Sequence, residues 1–215
     1  MIKAIIFDFD GVLAFTIPFH YAAWQQVLQP RGLVADEQVM RLHEGSPAFR
    51  IVQAMARRHG VELDDATAKQ YMAERNEIFI RTCDSKPYPE IAAILDFCDR
   101  HQLVRAVATG TTLENVQHVI DPPLLQRFQV VIKQGDYTRG KPSPDPFLVA
   151  AERLGIAPEF CVVVENAPFG IEAAKSAGMF CIALTTTLAR EHLLQADVIL
   201  ESHAELLKYL ETMVL

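Results

Sequence analysis

No run of the sequence approaches the ~18 consecutive apolar residues that a membrane-spanning helix needs. The apolar opening Ile2–Phe7 is cut short by Asp8 and Asp10, too soon for the apolar core of a signal peptide. Basic residues are in deficit, with 20 Lys+Arg against 27 Asp+Glu and a formal net charge of −7. Without a long Lys/Arg run, a surface built for nucleic acid or anionic lipid is not expected, although one small phosphate needs only a few local donors. Cysteine is scarce: Cys83, Cys98, Cys161 and Cys181 form no Cys-x-x-Cys pair. A disulfide framework and a zinc site are therefore not expected, and buried reduced thiols in a cytoplasmic protein are. What remains is a chain of 215 residues, 50% of them apolar, long enough to bury a sizeable core in one domain or two.

Short β-rich apolar runs recur at Lys3–Phe7, Val104–Ala108, Gln129–Ile132, Cys161–Val164, Cys181–Leu184 and Val198–Leu200. Near-continuous apolar runs suit strands covered on both faces, as in a parallel sheet. Their alternation with helical patterns predicts an open, doubly wound α/β sheet, whose ligands bind at the carboxyl ends of the strands. From about Pro18 to Cys83 the alternation stops. Helical stretches replace it at Pro18–Leu28, at Asp36–His43, from Ser46-Pro47 to Gly60, and at Asp64–Arg81. Ser46 reads as an N-cap with Pro47 at the first helical position. The turn-rich Ser85-Lys86-Pro87-Tyr88-Pro89 brings the chain back. Residues 16–85 are thus expected to form an all-helical insertion that can act as a lid, and residues 1–15 and 86–215 the core.

Four strand ends carry polar residues suited to chemistry. Asp8-Phe9-Asp10-Gly11-Val12 can converge two carboxylates on one site, which is costly unless a cation or proton neutralises them. A solvated turn with local Asx hydrogen bonds explains the same residues. Thr109-Gly110-Thr111-Thr112 offers a hydroxyl, a bare glycine backbone and a helix start, which together suit a phosphate. Thr111 and Glu114 also have the spacing of a simple capping box. Gly140-Lys141-Pro142-Ser143-Pro144-Asp145-Pro146 mounts a lysine on a proline-stiffened loop, and Asp145 can cap the next helix. Glu165 and Asn166, before a helix over Phe169–Ala177, offer a charged and a neutral oxygen to a hard cation, or a plain strand-end acid to water. Ser202 and Glu205 read as another capping box. His43, His101, His118, His192 and His203 show no metal-type spacing and read as surface or loop residues.

Taken together and in this order, these segments resemble the haloacid dehalogenase superfamily, in the branch whose helical cap is inserted between the first and second motifs. The resemblance spans essentially the whole chain. Asp8-x-Asp10-Gly11-Val12 is similar to the first motif, Thr109 to the second, Lys141 to the third and Glu165-Asn166 to the fourth. It implies a Rossmann-like core with the strands bearing Asp8, Thr109 and Glu165 side by side. It also implies Mg²⁺ held by Asp8, Asp10, Glu165 and Asn166, and a phosphoaspartyl intermediate on Asp8. Asp10 would be the general acid and base, with Thr109, Gly110 and Lys141 on the phosphate. Thr16, His20, Trp24 and Arg75-Asn76 look like the β-phosphoglucomutase group, and Gly45, Ser46 and Arg50 stand in the cap loop.

The departures matter. Mutases of this group carry an arginine three residues after the cap-loop glycine, where this chain has Ala48 after Gly45; Arg50 lies nearby. Phe15 replaces the acid frequent before the hinge threonine. Asn166 stands where the family usually has a metal-binding aspartate. The leading expectation is a Mg²⁺-dependent phosphatase of a small phosphorylated metabolite, a sugar phosphate, in a monomer or weak dimer. A β-phosphoglucomutase is the enzyme alternative, and a phosphate-binding protein weakened by Asn166 and Ala167 is the alternative of another class.

Overall fold

The computed structural model describes residues 2–214. Six parallel strands form one sheet in the order β3-β2-β1-β4-β5-β6: β1 (Ala4–Phe7), β2 (Val104–Ala108), β3 (Val130–Ile132), β4 (Cys161–Glu165), β5 (Phe180–Leu184) and β6 (Val198–Leu200). Every expected strand is present, its ends agreeing to within a residue. The chain starts in the centre and winds out to one edge, then returns to the centre for β4. The strand order therefore reverses between β1 and β4, and ligands bind in the crevice that such a reversal opens. Phe7 lies level with Val107 on one side and Val164 on the other. Asp8, Thr109 and Glu165 consequently leave the sheet at neighbouring positions.

Alternation along β1 feeds two apolar layers. Ile5 and Phe7 face α5 (Ile91–Arg100), α6 (Leu113–Val119) and α10 (His203–Val214) through Phe97, Val116 and Leu206. Ala4 and Ile6 face α8 (Asp145–Leu154) and α9 (Pro168–Ser176) through Phe147 and Ile171. Each of the larger of these side chains stabilises the fold by about 1.5–3 kcal/mol through burial. The short α7 (Pro122–Leu125) leads into β3.

Helices α1 (Ile17–Leu28), α2 (Glu37–Leu42), α3 (Ala48–Arg57) and α4 (Asp65–Thr82) lie between β1 and β2, which is the expected helical insertion. Its outgoing and returning chains meet: Ala14 bridges Pro87, Tyr88 N–H donates to Leu13 O at 3.0 Å, and Ser85 Oγ donates to Phe15 O at 2.8 Å.

Three cap assignments differ from expectation. Pro47, not Ser46, precedes α3, because Ser46 Oγ turns back to donate to His43 O at 2.7 Å. Thr112 rather than Thr111 caps α6, accepting from Asn115 N–H, while Thr111 Oγ1 accepts from the Asn115 side chain at 2.7 Å. Asp145 is the first residue of α8, and its carboxylate accepts from Arg139 and Ser143. All four cysteines are buried and unpaired. Among the described residues no helix is long and apolar enough to cross a membrane.

Candidate active site

Asp8 follows β1, its N–H donating to Val164 O at 2.9 Å. The chain then turns through Gly11 at φ +81°, which an L side chain rarely adopts. A Cβ there would also lie 2.2 Å from Asn166 Nδ2. This turn sends Asp10 back to the same crevice as Asp8.

Lys141 is 1% exposed, its ammonium over the Phe147 ring. Nζ donates to Asp8 Oδ1 and to Glu165 Oε1, both at 2.6 Å. Burial opposes the charge on Lys141, but the two carboxylates overcome it and hold the ammonium above its ordinary range. Burial, reinforced by Glu165 and Asp10 and opposed by Lys141, raises the Asp8 pKa to about 7. A single ammonium thus does not neutralise this group of acids, and the site has a demand for further positive charge.

Glu165 Oε2 accepts from the N–H groups of Asn166 and Ala167 at 2.8 and 3.3 Å. Both of its oxygens are therefore engaged, on Lys141 and on the chain. This geometry makes Glu165 the partner that aims Lys141, rather than a free ligand oxygen. Space for it comes from Gly170, where a Cβ would sit 1.8 Å from Oε1.

Asn166 Nδ2 donates to Asp10 O at 2.9 Å and to Thr187 Oγ1 at 2.6 Å. Its Oδ1 is buried without a hydrogen-bond partner. Buried polar atoms are seldom left so, and an unengaged amide oxygen just past the carboxyl end of β4 suits a hard cation that takes oxygen ligands. Among the described residues no group of three or more His, Cys, Asp or Glu is arranged around a common metal position. The oxygen set that fits combines one carboxylate, one main-chain carbonyl and one amide.

Asp10 Oδ1 accepts from Thr16 Oγ1 at 2.6 Å and from His20 Nε2 at 2.8 Å. Arg75 Nη1 lies 2.8 Å from His20 Nδ1. A guanidinium only donates, so Nδ1 accepts and Nε2 carries the proton that reaches Asp10. Burial lowers the His20 pKa and Arg75 lowers it further, against Asp10. Burial alone would raise the Asp10 pKa, but His20, Thr16 and Arg75 bring it below the ordinary value. The imidazole stacks on Phe79 at 4.1 Å, and Arg75 lies over Trp24 at 5.2 Å. Trp24 therefore supports the guanidinium rather than the histidine four residues before it.

Thr109 Oγ1 accepts from Thr111 N–H at 3.1 Å. The cap loop closes over this cradle: a Cβ on Gly110 would lie 3.2 Å from Gly45 O, and one on Gly45 would lie 3.0 Å from the Lys141 stem. Asp8, Asp10, His20, Trp24, Gly45, Ser46, Arg75, Thr109 and Gly110 line a common cavity of about 20 Å³, little more than one water's worth of space. Arg50 does not join them. It faces a separate cleft of about 560 Å³ with Arg57 and Arg139, stacked on Phe49 and hydrogen-bonded to Gln53. Asn76 lines an outer groove with Ala73 and Glu77.

The sequence reading missed Glu44, which lines the cavity beside Gly45. Burial, with Asp10 and Asp8 nearby, raises its pKa to about 8. Its place next to the cap-loop glycine was the available signal. Thr187, just past β5, was also missed, although strand carboxyl ends were the place to look. His203 is a buried donor to Val12 O at 2.7 Å and so is not the surface residue expected, whereas His118 is exposed, as expected, and donates to Cys83 O.

The haloacid dehalogenase-like hydrolase family matches residues 2–178, and the chain belongs to that family. It is a phosphohydrolase that acts on a small phosphorylated compound. Its relatives include fructose-1-phosphate phosphatase YqaB of Escherichia coli (strain K12), 34% identical over 81% of this chain and 92% of that protein. Validoxylamine A 7'-phosphate phosphatase of Streptomyces hygroscopicus subsp. limoneus is 31% identical over 95% of this chain and 96% of that one. The crystal structure of CbbY from Rhodobacter sphaeroides in complex with phosphate superposes with a TM-score of 0.80 at 29% identity, covering 96% of both chains.

Proposed function

We propose that the protein is a Mg²⁺-dependent phosphatase of a small sugar or polyol phosphate, working through a phosphoaspartyl intermediate on Asp8. The observation that carries this is the meeting of Asp8 and Asp10 in one narrow cavity, with Lys141 2.6 Å from the Asp8 carboxylate. Asp8, the Asp10 carbonyl and Asn166 Oδ1 are the atoms suited to Mg²⁺, which when bound would offset repulsion between the carboxylate and the phosphate. At ~4 Å and an effective dielectric of ~20 that repulsion is about 4 kcal/mol per charge pair.

Asp8 attacks phosphorus as the bond to the leaving oxygen breaks, and Asp10 gives that oxygen its proton. Because His20 and Thr16 both donate to Oδ1, Oδ2 is left to carry the proton. Asp10 then takes a proton from water as the water oxygen bonds to phosphorus and Asp8 departs. Thr109 and Gly110 cradle the phosphoryl oxygens, and Lys141 holds their charge. Residues 16–85 act as the cap. A cavity of about 20 Å³ does not admit a sugar, so the cap opens for substrate and closes for chemistry.

Relatives named as sugar-phosphate phosphatases support the substrate class, and Ala48 in place of an anchoring arginine weighs against the mutase. The test is phosphate release from hexose and hexitol phosphates with Mg²⁺. Wild type should turn over, and Asp8→Asn should lose at least about 10⁴-fold. Retained turnover in Asp8→Asn would overturn the mechanism. Glucose 6-phosphate formed from β-glucose 1-phosphate and a bisphosphate primer would overturn the phosphatase reading.

A further inference from the structure

The cavity holds two groups that the proposed chemistry leaves unused. Glu44 lines it from the cap loop, half-buried, and has no part in holding Asp8 or Asp10. Arg75, 6% exposed, lines it from α4 and spends Nη1 on His20, yet its Nε is buried without an acceptor. One is a carboxyl group and the other an N–H with no partner. A leaving group that both accepts and donates hydrogen bonds would satisfy the pair, and hydroxyl groups do both.

Charge points the same way. Arg75 interacts electrostatically with Asp10 and Glu44 together, and Lys141 is held between Asp8 and Glu165. Neither cation is left over for a second anion, and Glu44 adds a further acid where the leaving group must lie. Ala48 lines the same cavity and supplies no charge. A protonated Glu44 would still bond a hydroxyl, but in neither state does it offer the positive charge that a distal phosphate or carboxylate requires.

We propose that Glu44, with Arg75 Nε opposite in hydrogen-bonding character, reads the leaving group, selecting uncharged hydroxyl-bearing phosphate monoesters and disfavouring those with a second anionic group. This rests on the phosphatase reading and specifies the substrate class of the same site.

The experiment compares wild type, Glu44→Gln and Glu44→Lys in phosphate release from a hexitol monophosphate, a hexose bisphosphate and phosphoglycolate. Circular dichroism and the thermal midpoint check that each variant is folded. Wild type should prefer the hexitol ester. Glu44→Lys should shift kcat/KM towards the two anionic esters by about tenfold or more, chiefly through their KM. Glu44→Gln should shift it the same way by less, and it decides the matter alone if the lysine variant does not fold. Preference unchanged within about twofold in every folded variant, while wild type still turns over, overturns the role of Glu44 and leaves the phosphatase reading standing. No phosphate release by wild type from any ester overturns the phosphatase reading, and this inference with it.

Discussion

Arg75 Nη1 sits 2.8 Å from His20 Nδ1, and that contact decides which ring nitrogen carries the proton facing Asp10. The donor comes from the last cap helix, the ring from the first, and the acceptor from the core. Closure of the cap therefore sets the ionisation of the proposed general acid. With Arg75→Met, the ring is free to exchange tautomers and the N–H that orients the Asp10 carboxyl group is no longer fixed. Phosphate release should fall by about 10- to 100-fold in kcat with a smaller change in KM. Nitrogen NMR of the His20 ring should show mixed tautomers, which loss of packing alone would not produce; an unchanged ring signal and kcat would refute the link.

Asn166 donates to the Asp10 carbonyl while its own oxygen goes unpaired. Asn166→Asp would place a buried carboxylate against that carbonyl without metal, costing about 3 kcal/mol, yet give a bound cation one more charge. The metal-free thermal midpoint should drop. Mg²⁺ should bind about tenfold tighter and restore more stability than it does in wild type. Calorimetric titration showing equal or weaker binding would count against the assignment of Asn166 to the metal.

Gly170 leaves the volume that the Glu165 carboxylate fills. That carboxylate is fully buried and bonded through both oxygens, so it cannot swing aside cheaply. Gly170→Ala should destabilise the fold by about 1–3 kcal/mol in urea unfolding. Phosphate release should also fall as Lys141 loses its second partner. Unfolding at the wild-type midpoint would show that the carboxylate has room to move.

His203 donates to Val12 O, stacks against Tyr88, and is held below its ordinary pKa of 6.5 by burial. As pH falls through about 6.5 the unfolded chain takes up a proton that the folded chain refuses, so stability is lost towards acid. The loss is at most about 1.4 kcal/mol per pH unit for each such histidine. His20 contributes in the same direction. Stability measured in urea from about pH 7.5 to about pH 5.5 should fall less steeply in His203→Gln, which keeps a donor and does not titrate. Parallel curves would assign the acid sensitivity elsewhere.

The core and the four motif residues were legible because Asp8, Thr109 and Glu165 each stand at the carboxyl end of an apolar strand, and Lys141 on a proline-stiffened loop after another. Asp8, Thr109, Lys141 and Glu165 converge for that reason. The cap loop was not legible in the same way. Whether Glu44 or Arg50 enters the cavity depends on the path through Gly45, at φ +84°, and on the start of α3, neither of which periodicity encodes. Thr111 has the capping-box spacing with Glu114, yet Thr112 accepts the Asn115 N–H and Thr111 the Asn115 side chain, a choice that the spacing does not encode. Glu165 reads as a ligand oxygen from its place in the order of motifs, yet main-chain N–H groups and Lys141 occupy it, contacts that form only once β4 and the lysine loop are together.

Where the cap loop meets the phosphate cradle, Gly45 faces Gly110 and no side chain intervenes. A seam made from peptide groups is indifferent to the identities of the residues beside it. Position 44 can therefore be exchanged, by selection or by design, without loosening the closure that keeps water from the reaction. Substrate preference in this scaffold is detachable from its catalytic seal.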